Sequence, residues 1–216
     1  MLAGLLLLTV AATASAQAQG GGSRGSVEIS GGGAMVGGFD LDTRTAQLTS
    51  NTAPNGGTFD WFEVDGKIKT GYGVLARIGV FVTRAFSVEG GVRWTRPVNA
   101  QSISGDTENA PSITAEETIN QYLFEGSALW HFNAGGRAMP FVYGGAGYLR
   151  ELHDGESLVE ENIELHAGAG VKWWLGAAKK FGIRGEAGVS IRDGGFETDE
   201  KRRTVPVAAG SVIWVF

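Results

Sequence analysis

Eight charged residues fall at alternating positions of β-prone segments, on a face where they could form buried ion pairs. The acids are Glu28, Glu89, Glu125 and Glu186, and the bases are Arg77, Arg93, Lys172 and Arg184. Charges enclosed in a narrow space are costly unless they are paired. We therefore predict a lumenal ion-pair network, with Lys172–Glu186 and Arg77–Glu89 as candidate cross-strand pairs. A structural plug is the first interpretation of this network, and a switchable gate or narrow pore is the functional alternative.

The three histidines are the candidates for acid–base chemistry. His131 lies at the end of a strand, His153 lies in an acidic loop with Asp154 and Ser157, and His166 is expected to face the lumen. A catalytic set needs its base within hydrogen-bond reach of the nucleophile, and no spacing here enforces that. The chain has no Cys for a thiolate metal site. We expect a non-enzymatic protein without catalytic, cofactor or metal sites.

The segments that carry these charges alternate between apolar and polar residues, strictly in residues 163–175 and 181–192 and less perfectly in the others. In the clearest, residues 181–192, Ile183, Val189 and Ile191 oppose Arg184 and Arg192. Such runs exceed the 5–6 residues typical of soluble strands and match the ~9–11 residues of a tilted membrane strand. Eight segments are predicted as strands: residues 27–36, 72–82, 86–94, 120–132, 141–149, 163–175, 181–192 and 205–216. Leu75, Phe81 and Leu123 depart from the polar pattern of the inward face, as expected of a lumen filled by side chains.

The connections between these segments alternate in length. The short ones span residues 83–85, 133–139 and 176–180, and the long ones span residues 37–71, 97–118, 151–162 and 193–203. Short periplasmic turns and long extracellular loops are typical of bacterial barrels. The long connections sum to a net charge of −12 and the short ones to +4. Solvated loops explain this asymmetry.

A sharper hypothesis for the acidic loops is that divalent cations bridge them to lipopolysaccharide phosphates, because hard divalent cations prefer carboxylate oxygens. The carboxylates considered for this role are Glu151, Asp154, Glu156, Glu160 and Glu161.

Alternation alone does not say which face points outward, since a soluble eight-stranded barrel reverses the polarity. Three other features favour a membrane. An apolar run from Leu2 to Ala14 precedes small-x-small sites and predicts a signal peptide at residues 1–18. A Gly-rich linker at residues 19–25 and a barrel at residues 26–216 are expected to follow. The loop asymmetry is the second feature, and the aromatic run ending in Trp214 and Phe216 is the third.

Aromatic residues cluster at the ends of the predicted strands, as membrane interfaces favour. At the short-turn ends they are Phe86, Trp130, Phe132, Phe141, Trp173, Phe181, Trp214 and Phe216. At the long-loop ends they are Tyr72, Trp94 and Tyr122.

One segment carries a family resemblance. Residues 140–148, Pro-Phe-Val-Tyr-Gly-Gly-Ala-Gly-Tyr, resemble a strand of the small outer-membrane β-barrels, the OmpA-transmembrane-like, OmpX-like and OmpW-like group. Gly168-Ala169-Gly170-Val171 and the terminal Phe216 resemble later strands of this group. The resemblance implies an all-β protein, an eight-stranded antiparallel transmembrane up-and-down β-barrel. It also implies that Trp214 and Phe216 form part of the signal read by the β-barrel assembly machinery.

These features together predict a protein of the bacterial outer membrane, exported through a cleaved signal peptide. We expect a structural role in envelope integrity, with acidic loops outside. A narrow pore or transporter for small or hydrophobic solutes is the alternative, and loop-mediated adhesion is the second. The expected partners are outer-membrane lipids and lipopolysaccharide, and the expected state is a monomer. The net charge of −5 argues against nucleic acid.

Overall fold

The computed structural model describes residues 21–49, 57–106, 110–153, 159–192 and 202–216, and its regular structure is entirely β. No helix in these ranges could cross a membrane. The twelve strands are β1 (Val27–Val36), β2 (Phe39–Asp40), β3 (Arg44–Thr49), β4 (Thr58–Ile68), β5 (Gly71–Phe81), β6 (Phe86–Arg96), β7 (Val98–Ser104), β8 (Ile113–His131), β9 (Ala138–His153), β10 (Val159–Leu175), β11 (Phe181–Arg192) and β12 (Arg203–Val215).

Eight of these strands close into one barrel. Their order around the ring is β1, β5, β6, β8, β9, β10, β11 and β12, and every neighbouring pair is antiparallel. The ring closes where β12 pairs with β1, from Glu28 opposite Val215 to Val36 opposite Val207. The predicted eight-stranded up-and-down barrel is thereby confirmed.

The two faces of the barrel wall have opposite polarity, with the apolar side chains outside. On β11, Ile183 is 50% exposed whereas Arg184 is 4% exposed. The same contrast separates exposed Val171 and Trp173 from fully buried Lys172. In water such an exterior would be unfavourable, whereas in a bilayer it meets hydrocarbon. The polarity is therefore that of a transmembrane barrel and the reverse of a soluble one.

The lumen is closed by apolar side chains at the end where the short turns lie, which we call the short-turn end. Phe81, Met139, Trp174, Ile213 and Val215 form one buried cluster there. Ile213 and Val215 explain why the last strand is apolar on both faces, since its inner face packs into this cluster. Leu75, Phe81 and Leu123 also point inward and are buried, as expected.

The start of the described chain crosses this apolar cluster before β1 begins. The Gly21 N–H donates to the Lys179 carbonyl at 2.9 Å, and the Gly25 N–H donates to the Phe81 carbonyl at 2.7 Å. A Cβ on Gly21 would lie 2.2 Å from the Trp174 ring, so only glycine fits at this close approach. Residues 21–25, which the sequence assigns to a linker, thus lie against the short-turn end.

At the opposite end, which we call the long-connection end, two segments predicted as loops are folded. Residues 37–71 include β2, β3 and β4, and residues 97–118 include β7. β4 pairs with β3 and β7, and β7 pairs with the first part of β8. We call the resulting β3–β4–β7–β8 layer the extension sheet. Pro97 separates β6 from β7 because it has no N–H for the ladder.

The extension sheet reverses the polarity of the barrel wall below it. Ile113 lies on the same side of β8 as buried Ile119, and the register places Ile103 opposite Ile113 and Val64 opposite Ile103. The side that continues the lumenal face therefore carries these apolar residues farthest from the barrel, with Gln101 and Glu117 nearer to it. The other side, which continues the lipid-facing surface, carries polar residues, among them Glu63, Asp65, Ser102, Thr114 and Glu116.

Candidate functional site: a charged lumen

Alternation along the barrel strands brings the charged residues of the lumen together. Each of them follows or precedes an apolar residue that faces outward, so each is forced inward. Because an eight-stranded barrel has a narrow interior, long side chains from opposite walls meet at its axis.

Lys172 lies at one end of this arrangement, next to Phe81 of the apolar cluster, and is fully buried. Its Nζ lies 2.7 and 2.9 Å from the two carboxylate oxygens of Glu28 and 3.3 Å from Glu89 Oε1. Arg184 continues the chain of contacts. Its Nη1 donates to both oxygens of Glu89 at 2.9 and 2.7 Å, and its Nη2 lies 2.6 Å from Glu186 Oε2.

Arg77 joins the remaining carboxylates to this chain. Its Nη1 donates to Glu186 Oε1 at 2.6 Å and its Nε donates to Glu125 Oε1 at 2.5 Å. Seven side chains from six strands are therefore linked in one central network. Its members are Glu28, Lys172, Glu89, Arg184, Glu186, Arg77 and Glu125, and none has a side chain more than 9% exposed.

The partners in the central network differ from the two pairs predicted from neighbouring strands. Lys172 contacts Glu28 and Glu89 rather than Glu186, and Arg77 contacts Glu125 and Glu186 rather than Glu89. The register places Lys172 opposite Arg184, so its neighbour on β11 carries a like charge. The Lys172 side chain instead extends across the lumen to Glu28 and Glu89, which the pairing of adjacent strands does not predict.

Arg93, the eighth predicted residue, belongs to a second group nearer the long-connection end. Its Nη2 donates to Glu164 Oε1 at 2.6 Å, and Arg192 Nε donates to Glu164 Oε2 at 3.0 Å. Arg192 Nη1 also lies 3.8 Å from Glu151, which accepts a hydrogen bond from Gln121. The predicted site omits Glu164, Arg192, Glu151 and Gln121, although the alternation of their strands places them on the inward face.

Above this second group, His153 stands between two carboxylates. Its Nδ1 lies 3.3 Å from Glu117 Oε2 and its Nε2 lies 3.9 Å from Glu160 Oε2. Glu151 and Glu160 point inward and are buried. Neither can reach the lipid surface, so the hypothesis that they bridge divalent cations to lipopolysaccharide is wrong for both. Glu161 is exposed on the outer face, whereas Asp154 and Glu156 lie outside the described residues.

The other two histidines each contact a serine inside the lumen. His131 Nε2 lies 2.9 Å from Ser87 Oγ and His166 Nε2 lies 2.7 Å from Ser127 Oγ. Within the described residues, the Nδ1 atom of neither ring has a hydrogen-bond partner. Neither pair therefore has the orienting third group of a catalytic triad. In the same part of the chain, no three His, Asp or Glu residues are grouped to hold a metal ion.

The space left between the charged groups is small. A cavity of about 10 Å³ is bordered by Arg77, Glu125, Tyr143, His166 and Glu186 among others. This volume is about enough for a single water molecule. Together with the apolar cluster below it, the central network fills much of the described lumen at this level.

The short-turn girdle of aromatic residues lies on the outer face, with one exception. Trp130, Phe132, Trp173, Phe181 and Trp214 are exposed. Phe141 is 1% exposed and points into the lumen beside His131, so its assignment to the girdle was wrong. Its position on the weakly alternating segment 141–149 explains the error.

Phe216 is 70% exposed and stacks on Trp214 with ring centroids 6.1 Å apart. Its N–H donates to the Val27 carbonyl at 2.9 Å, which fixes the strand end to β1. Both aromatic side chains therefore face outward, as predicted for residues that contact lipid.

Solved structures of similar fold are outer-membrane barrels. OprG from Pseudomonas aeruginosa matches with a TM-score of 0.55 at 12% identity, over 92% of this chain and 98% of that chain. The N-terminal barrel domain of Pseudomonas aeruginosa OprF matches at 15% identity and a TM-score of 0.46, over 89% and 98% of the two chains. Neisserial surface protein A matches at 13% identity and a TM-score of 0.46, with the same coverage.

A comparison with curated protein sequences gives no significant match. A family model, described as the outer membrane protein beta-barrel domain, matches residues 2–210. This match spans nearly the whole chain, and it agrees with the closed barrel, the apolar exterior and the charged interior. The protein belongs to the outer membrane protein β-barrel domain family.

Proposed function

We propose that this protein is a structural barrel of the outer membrane, with a closed lumen and a folded sheet on the extracellular side. The observation that carries this proposal is the double obstruction of the lumen. The apolar cluster around Trp174 fills the short-turn end, and the central network fills the middle. Following the usual arrangement of bacterial barrels, we assign the short-turn end to the periplasm.

A closed lumen supports an envelope role because the network joins opposite walls of the barrel. Contacts of this kind resist deformation of the ring without providing a route for solutes. The proposal is also non-enzymatic. The Ser87–His131 and Ser127–His166 pairs lie inside the lumen, and the cavity beside His166 measures only about 10 Å³.

Planar-bilayer recording tests the closed lumen. The refolded protein is expected to show no steady conductance, and the variants Arg77→Gln and Lys67→Gln are compared with it. Lys67 is a matched control because its pair with Asp40 lies outside the barrel and is well exposed. Steady openings of the unmodified protein that change in Arg77→Gln but not in Lys67→Gln would instead support the narrow pore.

A second candidate function is adhesion through the extension sheet. Apolar side chains on it are well exposed, among them Phe59 at 44% and Ile113 at 65%. This role predicts that Phe59→Ser with Ile113→Ser abolishes surface binding of cells that display the folded protein. Unchanged binding by the double variant would argue against adhesion through the extension sheet.

The proposed partners follow from residence in the outer membrane. Lipids and lipopolysaccharide surround the apolar exterior, and the assembly machinery inserts the barrel with Trp214 and Phe216 as part of its signal. We propose a monomer, because the ring closes within one chain.

A further inference from the structure

We propose that Arg96 and Arg150 form a binding site for the phosphates of an outer-leaflet glycolipid, on the lipid-facing surface just below the extension sheet. This inference depends on residence in the outer membrane and not on whether the lumen conducts. In this site cationic side chains contact phosphate directly, without the divalent cations that acidic loops would need as bridges.

Aromatic residues mark the level of this site. Tyr72, Trp94, Tyr122 and Tyr148 face outward near the long-connection ends of β5, β6, β8 and β9, which are consecutive in the ring. Tyrosine and tryptophan prefer the boundary between hydrocarbon and headgroups. On β10, β11, β12 and β1, the described outward residues at this level are not aromatic. The aromatic residues therefore form a patch on one side of the barrel, which we call the outer aromatic patch.

Two exposed arginines lie within this patch. Arg96 lies opposite Tyr72 in the β5–β6 register, and Arg150 lies opposite Tyr122 in the β8–β9 register. Trp94 lies next to Arg96 on the outward face of β6 and opposite Tyr122, and its Nε1 donates to Asn120 Oδ1 at 3.4 Å. Two strand spacings and a two-residue offset place the arginine Cα atoms roughly 12 Å apart. This spacing suits two phosphates of one large headgroup better than a single phosphate.

A neighbouring acid competes with phosphate for Arg150 but not for Arg96. Within the described ranges, Arg96 makes no ion pair. The nearest outward acid on β8, Glu116, is bound by Lys69 at 2.6 Å. Glu161 lies opposite Arg150 and accepts a hydrogen bond from the Tyr148 hydroxyl, so it is the competing anion.

Charge and position together select the ligand. The patch continues the lipid-facing surface, so its occupant is a lipid of the outer leaflet. Guanidinium groups bind phosphate by paired hydrogen bonds, and exposed tyrosine and tryptophan rings suit a sugar-bearing headgroup at the interface. A phosphorylated glycolipid, the chemistry of lipopolysaccharide, supplies both groups.

The experiment uses the full chain refolded in phosphatidylcholine nanodiscs, with EDTA present to remove divalent cations. The probe is a short-core lipopolysaccharide, compared with the same molecule after removal of its phosphates, and binding is measured by native mass spectrometry. The double variant Arg96→Gln with Arg150→Gln is expected to bind the phosphorylated probe at least 10-fold more weakly. The dephosphorylated probe is expected to bind the unmodified protein as weakly as the double variant binds the intact probe.

Two further variants separate this site from general effects. Arg84→Gln removes an exposed arginine from the short turn after β5 and is expected to leave binding unchanged. Glu161→Gln removes the competing anion and is expected to strengthen binding a few-fold. Heat-modifiable migration on gels verifies that each variant is folded.

Four results would overturn the proposal. Three are equal binding by the double variant, an equal loss in Arg84→Gln, and equal binding of the dephosphorylated probe. The fourth is binding that is seen only when EDTA is omitted, because it would indicate bridging cations.

Discussion

Lys172 and Glu28 are in contact across the barrel although two strands, β11 and β12, lie between β10 and β1 in the ring. Lys172 Nζ lies 2.7 and 2.9 Å from the two oxygens of Glu28. Such a contact joins parts of the wall that share no backbone hydrogen bonds. The barrel is therefore held by its hydrogen-bonded ladders and by links through its interior.

Lys172→Met should strongly destabilise the barrel. The substitution removes the cation that is hydrogen-bonded to Glu28, whose next cation, Arg184 Nη1, lies 3.9 Å away. Breaking a buried ion pair costs about 3–5 kcal/mol. We expect the free energy of unfolding, measured in guanidinium with the refolded protein in vesicles, to fall by this amount. Lys67→Met is the control, since exposed pairs contribute about 0–1 kcal/mol. Equal losses in the two variants would contradict a stabilising role for the central network.

Gly168→Ala should be costly although the added group is a single methyl. A Cβ at Gly168 would lie 2.4 Å from the Ala187 carbonyl oxygen and 2.7 Å from the Tyr143 hydroxyl. Overpacking of this kind costs about 1–3 kcal/mol. Gly126→Ala is the matched control, because no atom lies within 4 Å of a Cβ added there. Chemical denaturation compares the two midpoints, and similar midpoints would show that the wall accommodates Tyr143 in another way.

Ile78→Arg tests whether the outward face of the wall contacts lipid. Ile78 is 55% exposed and lies near the middle of β5. In water the substitution would be nearly neutral, whereas a cation in hydrocarbon near the midplane costs about 2–4 kcal/mol. We expect this loss in unfolding experiments in lipid vesicles. Ser102→Arg, on the polar side of the extension sheet, should change stability little. A neutral Ile78→Arg variant would mean that this face of β5 does not contact lipid.

Phe216→Ser should slow insertion of the barrel and leave the lumen of inserted molecules unchanged. The substitution removes the ring that stacks on Trp214, whose other ring neighbour is Phe181. The measurement is the rate at which the heat-modifiable form appears in membranes that contain the assembly machinery. Phe132→Ser removes another exposed aromatic ring from the same girdle. If it slows insertion equally, the effect of Phe216 belongs to the girdle and not to a specific signal.

The barrel strands were predictable because membrane strands must alternate over a long stretch, and β10 and β11 do so with few exceptions. The extension sheet was not predicted. Residues 58–68 alternate only in part, since Trp61 and Phe62 are adjacent apolar residues. Gly and Pro residues precede them, and no other predicted strand lay nearby to pair with them. Pairing partners far apart in sequence decide whether such a segment becomes a strand, and a single segment does not reveal them.

The inward direction of the charged residues followed from the same alternation, whereas their partners did not. Arg77 could meet any carboxylate within reach of its long side chain, and the lumen offers several. The grouping of Arg93 with Glu164 and Arg192 depends on how the strands are staggered around the ring, which sets the height of each residue. Stagger is a property of the closed barrel and has no local signature in the sequence.

The reversal of polarity along β8 has a consequence for where the protein rests in the membrane. Outward residues are Phe124 and Tyr122 on one side of the change, and Glu116 and Thr114 on the other. Six residues of a tilted strand correspond to roughly 15 Å along the membrane normal. A deeper position would carry Glu116 into hydrocarbon, and a shallower one would bring Phe124 into water. The immersion depth of the barrel is therefore specified within β8, by the point at which its outward face changes from apolar to polar.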